Sequence, residues 1–495
     1  MNLCDVLHAA GETAPPPGKA AEAALAAATH VTEDSRRVRR GSLFVAVPGA
    51  KGDGHAFAQA AKDAGAIAIV GEREGVTELE GLPYVQVRHA RRTAGLCAHA
   101  LAGNPAHGMT VVGVTGTNGK TSTAALIDAI FRAAGLRTAL LGTLGYVVDG
   151  KLHEANHTTP FGEDLANIFA EARDAGVTHV SMEASSHALE QHRVAGIPFA
   201  AAAFTNLTQD HLDYHGTMEA YRDAKAILFR GLHPVTGLAV VNADDPAGDF
   251  YRNAAPCRSV TYGANGNCRA VNVQATMKHT TFSLETPWGT HPVKLRLLGH
   301  YNVANALCAA AIGGGLGIAL DTVVAALESQ PCVPGRFEPV TSGESFQVVV
   351  DYAHTDDGLR SALDAARRLC GGRIITVFGC GGDRDKTKRP KMGNVAGRLS
   401  DYCILTSDNP RTEDPFRILL DAEVGLQQAG KKKGADYDVI EDRATAIRTG
   451  ISMARPGDLV MIAGKGHEDY QIIGTEKTHF DDREVARLVL SELRR

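Results

Sequence analysis

The sequence predicts a three-domain α/β protein built around parallel sheets, and three observations carry that reading. Short apolar runs alternate with helical periodicity along most of the 495 residues, the pattern left when crossover helices join parallel strands. The chain is too long for one hydrophobic core, and its length suits about three domains. Turn clusters at Gly103-Asn104-Pro105 and Val333-Pro334-Gly335-Arg336 mark the divisions, giving units 1–103, 104–332 and 333–495.

Composition narrows the classes. With 44% hydrophobic residues, 22% charged residues and a net charge of −5, nothing favours nucleic acid as a partner. No apolar run approaches the roughly 18 residues that cross a bilayer. The start, Met1-Asn2-Leu3-Cys4-Asp5, lacks the basic and apolar regions of a signal peptide. Nine cysteines without a C-x-x-C pair read as reduced thiols rather than a disulfide or zinc framework. A cytoplasmic protein is expected.

In the first unit, strand-like runs at Ser42–Val47, Ala66–Val70 and Tyr84–Val87 alternate with helical runs at Phe57–Ala64 and Ala90–Ala102. Ala10–Ala28, rich in alanine and proline, carries little signal. Asp34-Ser35-Arg36-Arg37-Val38-Arg39-Arg40-Gly41 holds four arginines in five positions. That run is either a solvated edge or a set of guanidinium forks for an anionic ligand beside a serine hydroxyl.

The middle unit opens on an apolar strand, Met109–Val114, then Thr115-Gly116-Thr117-Asn118-Gly119-Lys120-Thr121-Ser122, then a helix. Ala124, Ile127, Ile130, Phe131 and Ala134 recur at three- and four-residue steps, and Gly135 stops the helix. Strand, glycine turn and helix N-terminus in that order make an anion cradle, with unpaired N–H groups and the helix dipole facing the turn. Lys120 can reach terminal nucleotide phosphates and the Thr121 hydroxyl can ligate Mg²⁺. Val114 stands where the strict phosphate-loop pattern has glycine, so the bland alternative is a tight β-to-α turn with a surface lysine. Strands at Thr138–Leu144, His179–Met182 and Ala200–Asn206 and a helix at Glu163–Ala175 continue the alternation. Ligands of open parallel sheets sit at the carboxyl ends of strands. Glu183 and His211 fall at such ends and are candidate Mg²⁺ ligands. Lys225 lies in a helical run with apolar neighbours, where the default is a lysine snorkelling at the surface. Cys257–Val293 reads as a small antiparallel insert, and Leu298–Ala306 leads into an alanine-rich helix.

The last unit shows strands at Phe346–Val350, Ile374–Phe378, Tyr402–Leu405, Asp438–Ile440 and Leu459–Ile462, with helices at Gly358–Leu369, Phe416–Gln428 and Ala444–Met453. Four strands end in polar or glycine clusters: Asp351-Tyr352-Ala353-His354, Gly379–Lys386, Ser407-Asp408-Asn409-Pro410-Arg411 and Gly464-Lys465-Gly466-His467-Glu468. That face is read as a site, whereas Lys431-Lys432-Lys433 reads as a solvated loop.

These motifs together resemble the Mur ligase family, the ATP-dependent enzymes that build the peptidoglycan stem peptide. Gly116–Thr121 is similar to its phosphate loop, in a form that tolerates a non-glycine at position 114. Glu183–His187, Thr205–Leu207 with Asp210–Asp213, and His300–Ala306 resemble its central domain; Pro334–Arg336 and Asp351–His354 resemble its carboxyl-terminal domain. The resemblance runs nearly end to end, apart from the stretch near residue 20. Asp356 is a departure, since relatives usually carry proline after His-Thr.

The resemblance implies a central phosphate-loop ATPase-like sheet, an N-terminal UDP-substrate domain and a C-terminal Rossmann-like domain. It implies that Gly116, Thr117, Asn118, Gly119, Lys120, Thr121 and Ser122 hold ATP, with Asn302 and Arg336 on its base and ribose side. Ser35 falls to the uridine end of a UDP-N-acetylmuramoyl-dipeptide, and Thr158, Thr159, Ser185, Gln191 and Arg193 to the rest of it. Lys120, Lys225 and His211 take catalytic roles. Lys225 becomes N6-carboxylysine by reaction with CO₂, reversing the snorkelling reading, and holds a second Mg²⁺ beside the metal ligands Thr121, Glu183 and His211. Asp408-Asn409-Pro410-Arg411 resembles the signature of members that add meso-diaminopimelate, so Arg384, Asp408, Asn409, Pro410, Arg411, Gly464 and Glu468 fall to that diamino acid. A monomer is expected.

Other classes have discriminating features. A lysine-adding Mur ligase would lack the Arg411 signature, and a folylpolyglutamate synthetase would lack the uridine-binding first domain. A guanine-nucleotide switch would carry an Asn-Lys-x-Asp motif, which the sequence does not contain.

Overall fold

The computed structural model describes residues 3–11, 18–49, 52–154, 157–276, 278–341 and 344–493. The first two residues of the chain start and the proline run at 15–17, both used above, lie outside them. Three α/β units follow one another, each with its own mainly parallel sheet.

The first sheet runs His30–Thr32, Ser42–Val45, Ala66–Gly71, Leu82–Gln86, Glu78–Leu79, parallel except for the last short strand. The stretch that carried little signal contributes a helix, Lys19–Ala27, which buries Ala21, Ala24 and Leu25.

The second sheet has eight strands in the order Lys151–His153, Gly145–Val148, Thr138–Gly142, His179–Glu183, Thr110–Thr115, Phe199–Phe204, Leu238–Asn242, Arg258–Tyr262. The first two form an antiparallel edge and the rest are parallel. Both faces are covered. Val112, Val114, Ala201, Ala203 and Val240 join one core with the helices Lys120–Ala133, His300–Gly315 and Leu320–Ser329, while Val111, Val180, Met182, Ala202 and Val241 join another. Burial on both faces explains why these strands read as continuous apolar runs rather than alternating ones. The antiparallel insert is smaller than the sequence suggests. Arg258–Tyr262 completes the main sheet, and the insert proper is Arg269–Ala275, Thr280–Thr286 and Gly289–Leu295.

The third sheet runs Glu338–Pro339, Gln347–Asp351, Leu459–Ala463, Ile374–Phe378, Tyr402–Leu405, Tyr437–Val439, parallel apart from its first strand. A helix unforeseen from the sequence, Lys388–Leu399, packs against Pro415–Gln428. Within Lys431–Lys433, Lys431 Nζ donates to the Ser400 carbonyl at 3.1 Å, so this part of the loop is anchored rather than freely solvated. Asp356 is the first residue of the helix Asp356–Leu369, with Thr355 as its N-cap. Proline is favoured at that position because its missing N–H costs nothing there, and an aspartate gains from the helix dipole instead.

Candidate active site

Strand register assembles the first part of the site. Thr110–Thr115 lies between His179–Glu183 and Phe199–Phe204, with Val114 opposite Glu183 and Thr115 opposite Phe204. The loop that follows therefore leaves the sheet between the ends of two neighbours. Val114 is fully buried in the strand, so its side chain packs in the core and the turn begins after it. Gly116 and Gly119 have φ of 146° and 84°. A Cβ on Gly116 would lie 1.9 Å from Thr205 Oγ1, and one on Gly119 would lie 2.5 Å from Asn305 Oδ1. Glycine is required at both by conformation and by space. Asn206 clasps the loop: its Oδ1 accepts from Asn118 N at 2.9 Å, and its Nδ2 donates to the Asn118 carbonyl at 3.0 Å. Thr121, Ser122 and Thr123 open the helix Lys120–Ala133, whose N-terminus faces the loop.

Two lysines converge here. Lys120 Nζ donates to the Gly116 and Thr117 carbonyls at 3.0 and 2.8 Å. Lys225 Nζ donates to the same Gly116 carbonyl at 2.9 Å and lies over the Tyr221 ring. Lys225 is 1% exposed, which corrects the snorkelling reading. The signal lay in its helix Met218–Arg230, where Lys225 falls four residues from both Tyr221 and Phe229 on the buried stripe. Burial lowers both ammonium pKa values, and for Lys225 the charge of Lys120 lowers it further, well below the ordinary lysine value.

Glu183 is 1% exposed and accepts from Thr143 N at 2.8 Å and Thr143 Oγ1 at 3.2 Å. Thr143 Oγ1 meets Thr158 Oγ1 at 3.2 Å, and Thr159 Oγ1 donates to the Glu183 carbonyl at 2.8 Å and accepts from Ser185 N at 3.1 Å. Arg193 donates to the Thr159 carbonyl at 3.0 Å and to Gln191 Oε1 at 2.8 Å, with its guanidinium over Phe161. Thr158, Thr159, Ser185, Gln191 and Arg193 are thus one connected network beside the phosphate loop. His211, at φ 54°, sits 3.3 Å from Asp210 and packs its ring against His187 and Tyr221. The Tyr221 hydroxyl lies 3.2 Å from Thr117 Oγ1, which ties this cluster to the loop.

Among the described residues no group of three His, Cys, Asp or Glu side chains is preassembled to hold a metal ion. Mg²⁺ is ordinarily held by one or two carboxylates together with waters and substrate phosphates. Thr121, Glu183 and His211 carry hydroxyl, carboxylate and imidazole donors, and they would need substrate phosphates and waters to complete such an ion's shell.

A cavity of about 600 Å³ lies between the first two units, lined by Ser35, Arg36, Arg37, Phe161, Glu163 and Asp164 among others. The arginine run divides there. Arg37 bonds Glu163 at 2.7 Å and Asp164 at 2.9 Å, Arg36 bonds Asp34, and Arg39 and Arg40 are exposed.

The third unit meets the phosphate loop directly. Arg336 Nη2 donates to Thr121 Oγ1 at 3.0 Å, with its guanidinium over Tyr352, so it reaches the start of the helix that follows the loop. Asp357 accepts from Asn118 Nδ2 at 3.0 Å and Thr208 Oγ1 at 2.8 Å, a contact that sequence reasoning missed. Asn302 is buried, donating to the Leu298 carbonyl at 2.6 Å and accepting from Asn305 Nδ2 at 2.8 Å. It orients Asn305, whose Oδ1 lies against Gly119 and accepts from Thr123 Oγ1 at 3.3 Å.

At the carboxyl ends of the third sheet, Asn409 Nδ2 donates to Glu468 Oε2 at 2.9 Å, and Arg411 Nη1 donates to the Gly382 carbonyl at 2.8 Å. Arg411 holds φ 52°, pinned by its N–H to the Ile472 carbonyl and by Gly474 N–H to its own carbonyl. Gly464 passes so close to Asp408 that a Cβ would lie 2.5 Å from Oδ2. Arg384 is exposed, with Nη1 on the Asp383 carbonyl. Beneath these loops Arg443 and Asp482, both fully buried, form a bidentate pair at 2.7 Å, and Arg443 also reaches the Ser407 and Ala463 carbonyls. Arg443→Met would strand a buried carboxylate and release two of the site's strand ends. It is expected to cost about 3–5 kcal/mol in urea unfolding of this unit; a loss under about 1 kcal/mol would refute that role.

Known proteins share this sequence pattern and fold. The Mur ligase middle domain model matches residues 114–313, the Mur ligase glutamate ligase domain model 335–466, and the Mur ligase family catalytic domain model 28–102. The UDP-N-acetylmuramoyl-L-alanyl-D-glutamate–2,6-diaminopimelate ligase of Geobacillus kaustophilus is 46% identical over 467 residues, covering 93% of this chain and 94% of that one. That of Solibacter usitatus is 44% identical over 494 residues, covering 99% and 98%. A solved structure of a ligase with that same name superimposes with a TM-score of 0.68 at 34% identity, covering 94% of this chain and 96% of the other. The Thermotoga maritima MurF ligase in complex with ADP shares the fold, with a TM-score of 0.63 at 20% identity. The chain belongs to the Mur ligase family.

Proposed function

We propose that this enzyme is an ATP-dependent ligase adding meso-2,6-diaminopimelate to the D-glutamyl carboxylate of UDP-N-acetylmuramoyl-L-alanyl-D-glutamate, a step of peptidoglycan precursor synthesis. The observation that carries the reading is the cluster Asp408, Asn409, Arg411, Glu468 at the strand ends of the third sheet, in a unit that also bonds to the phosphate loop through Arg336 and Asp357. The near-full-length relatives that bear this activity's name support it. Among the described residues no helix is long and apolar enough to cross a membrane. The proposed setting is a monomer in the cytoplasm, with functional units 1–103, 104–332 and 333–495 for the UDP substrate, ATP and the diamino acid.

In this mechanism the D-glutamyl carboxylate attacks the γ-phosphorus of ATP, the bond to ADP breaks, and an acyl phosphate forms. The diaminopimelate amine then attacks the acyl carbon, losing a proton as phosphate departs. Two anions approach in the first step, so the Lys120 ammonium and the N–H groups at 116–122 stabilise charge that develops there. Thr121, Glu183 and His211 would hold Mg²⁺, and carbamylated Lys225 a second ion, which would add charge neutralisation at the phosphates. The UDP-dipeptide lies along Ser35, Thr158, Thr159, Ser185, Gln191 and Arg193. Arg384, Asp408, Asn409, Pro410, Arg411, Gly464 and Glu468 bind the diamino acid. Closure about Pro334 brings these parts together and excludes water. The test is ADP release with the UDP-dipeptide, comparing diaminopimelate with L-lysine. Equal use of both acceptors would overturn the assignment.

The buried, depressed Lys225 amine is suited to react with CO₂ as the neutral base, forming an N–C bond and releasing a proton. Lys225→Ala is expected to lower kcat/KM by at least about a hundredfold, as when one electrostatic group is lost from such a site. Short carboxylic acids should restore part of the activity by occupying the space. Wild-type rates in the variant would refute a catalytic role for Lys225.

A further inference from the structure

Lys465 has no role in the mechanism above, yet it is 0% exposed. A lysine is rarely placed in a protein interior without a partner that compensates its lost hydration. Its Nζ lies 3.1 Å from Asn409 Oδ1 and 3.5 Å from Glu468 Oε2, with the Tyr470 ring face 5.5 Å away. Asn409 Oδ1 also accepts the Ile472 backbone N–H at 3.0 Å. Both donors are unambiguous, so they fix which end of the Asn409 carboxamide is oxygen. The amide nitrogen is then directed to Glu468 Oε2 at 2.9 Å. A flipped amide would set its own N–H groups against an ammonium and a backbone N–H.

We propose that Lys465 is a positioning residue for the acceptor amino acid: by holding Asn409 Oδ1 and lying against Glu468 Oε2, it sets how both groups meet the diamino acid. Glu468 is drawn by one oxygen toward Lys465 and Asn409, while Oε1 lies 3.5 Å from the Tyr352 hydroxyl. The hairpin Tyr470–Ile473 and Glu476–His479 belongs to the same device. It supplies the Ile472 N–H to Asn409, Gln471 Nε2 to the Asp408 carbonyl at 2.8 Å, and the two backbone bonds that clamp Arg411. Lys465 thus links the loop at 464–468 to the loop at 408–411 through side chains. The proposal rests on the reading that these loops bind diaminopimelate.

The experiment measures KM for diaminopimelate, KM for ATP, kcat and the melting temperature for the unaltered enzyme, Lys465→Met and Lys465→Gln. Use of diaminopimelate in preference to L-lysine by the unaltered enzyme tests the underlying reading separately. Given that preference, Lys465→Met should raise KM for diaminopimelate at least about tenfold, the scale of a lost charged hydrogen bond. KM for ATP should stay within about twofold. Lys465→Gln keeps a donor for Asn409 but no charge beside Glu468, and should fall between the two. Should Lys465→Met not fold, Lys465→Gln carries the same comparison. An unchanged diaminopimelate KM in a folded variant overturns the proposal. So does an equal rise in both KM values, since that marks a general structural defect.

Discussion

Replacing Lys120 with alanine is expected to lower ligation by about a thousandfold or more, the scale seen when a phosphate-stabilising cation is removed from phosphoryl transfer. The melting temperature should stay near that of the unaltered protein. Both halves follow from where the side chain sits. Its ammonium donates to two carbonyls of its own loop, Gly116 and Thr117. Those contacts sit within one turn of chain already held by Asn206 and Thr205. Losing them costs little folding energy, because the loop's shape is set by Gly116, Gly119 and the asparagine clasp. The catalytic loss is large because Lys120 is a compact positive charge at the helix N-terminus. Without it, a carboxylate must approach a triphosphate with less compensation. ADP formation in the presence of all substrates, together with a thermal melt, gives the comparison. Turnover above about a tenth of normal, or an early melt, would refute the assignment of Lys120 to phosphate stabilisation.

What the sequence revealed and what it hid follow from the range of the interactions. Ile374–Phe378 and Tyr402–Leu405 were bounded correctly, because strands buried on both faces are uninterrupted apolar runs ended by polar clusters. The phosphate loop was legible for a similar local reason, since strand, glycine turn and helix are contiguous. The helix Lys388–Leu399 was not. Pro390, Gly393 and Gly397 interrupt its periodicity, and the two glycines are there for tertiary contact. A Cβ on Gly393 would lie 2.0 Å from the Ala422 carbonyl, one on Gly397 2.7 Å from Ala429 Cβ, and one on Gly425 of the facing helix 1.9 Å from the Pro390 carbonyl. Two helices pressed backbone to backbone need residues that, read locally, argue against a helix. Asp357 is hidden differently. It is an ordinary first-turn acid in sequence, and its bonds to Asn118 and Thr208 exist only because the third unit docks on the second. Lys465, between two glycines at a strand end, offers no periodicity from which burial could be read.

Arg411→Ala is expected to lower kcat/KM for diaminopimelate steeply while changing the value for L-lysine little, so that a preference of roughly a thousandfold largely collapses. The two acceptors differ by one distal carboxylate, and size cannot separate them, since lysine is the smaller. A planar guanidinium can take that carboxylate with two parallel hydrogen bonds. With lysine bound, the guanidinium N–H groups not taken by the Gly382 carbonyl would face a gap in a site closed to water, and leaving a charged donor short of partners costs several kcal/mol. The structure shows what holds Arg411 in place. Arg411 holds φ 52°, a conformation costing on the order of 1 kcal/mol or more for a residue with a side chain. It persists because its backbone is clamped on both sides by the hairpin, at Ile472 and Gly474, while Nη1 is tied to the Gly382 carbonyl. Alanine meets the same backbone strain as arginine, so the substitution removes the fork without relaxing the loop. Arg411→Lys keeps a charge but not the paired geometry, and should recover a minor part of the preference. Arg384 and Glu468 remain, which leaves a residual bias toward diaminopimelate. The measurement is kcat/KM for both amino acids in all three proteins. A ratio unchanged in Arg411→Ala, or fully restored by lysine at that position, would show that selection rests elsewhere in the cluster.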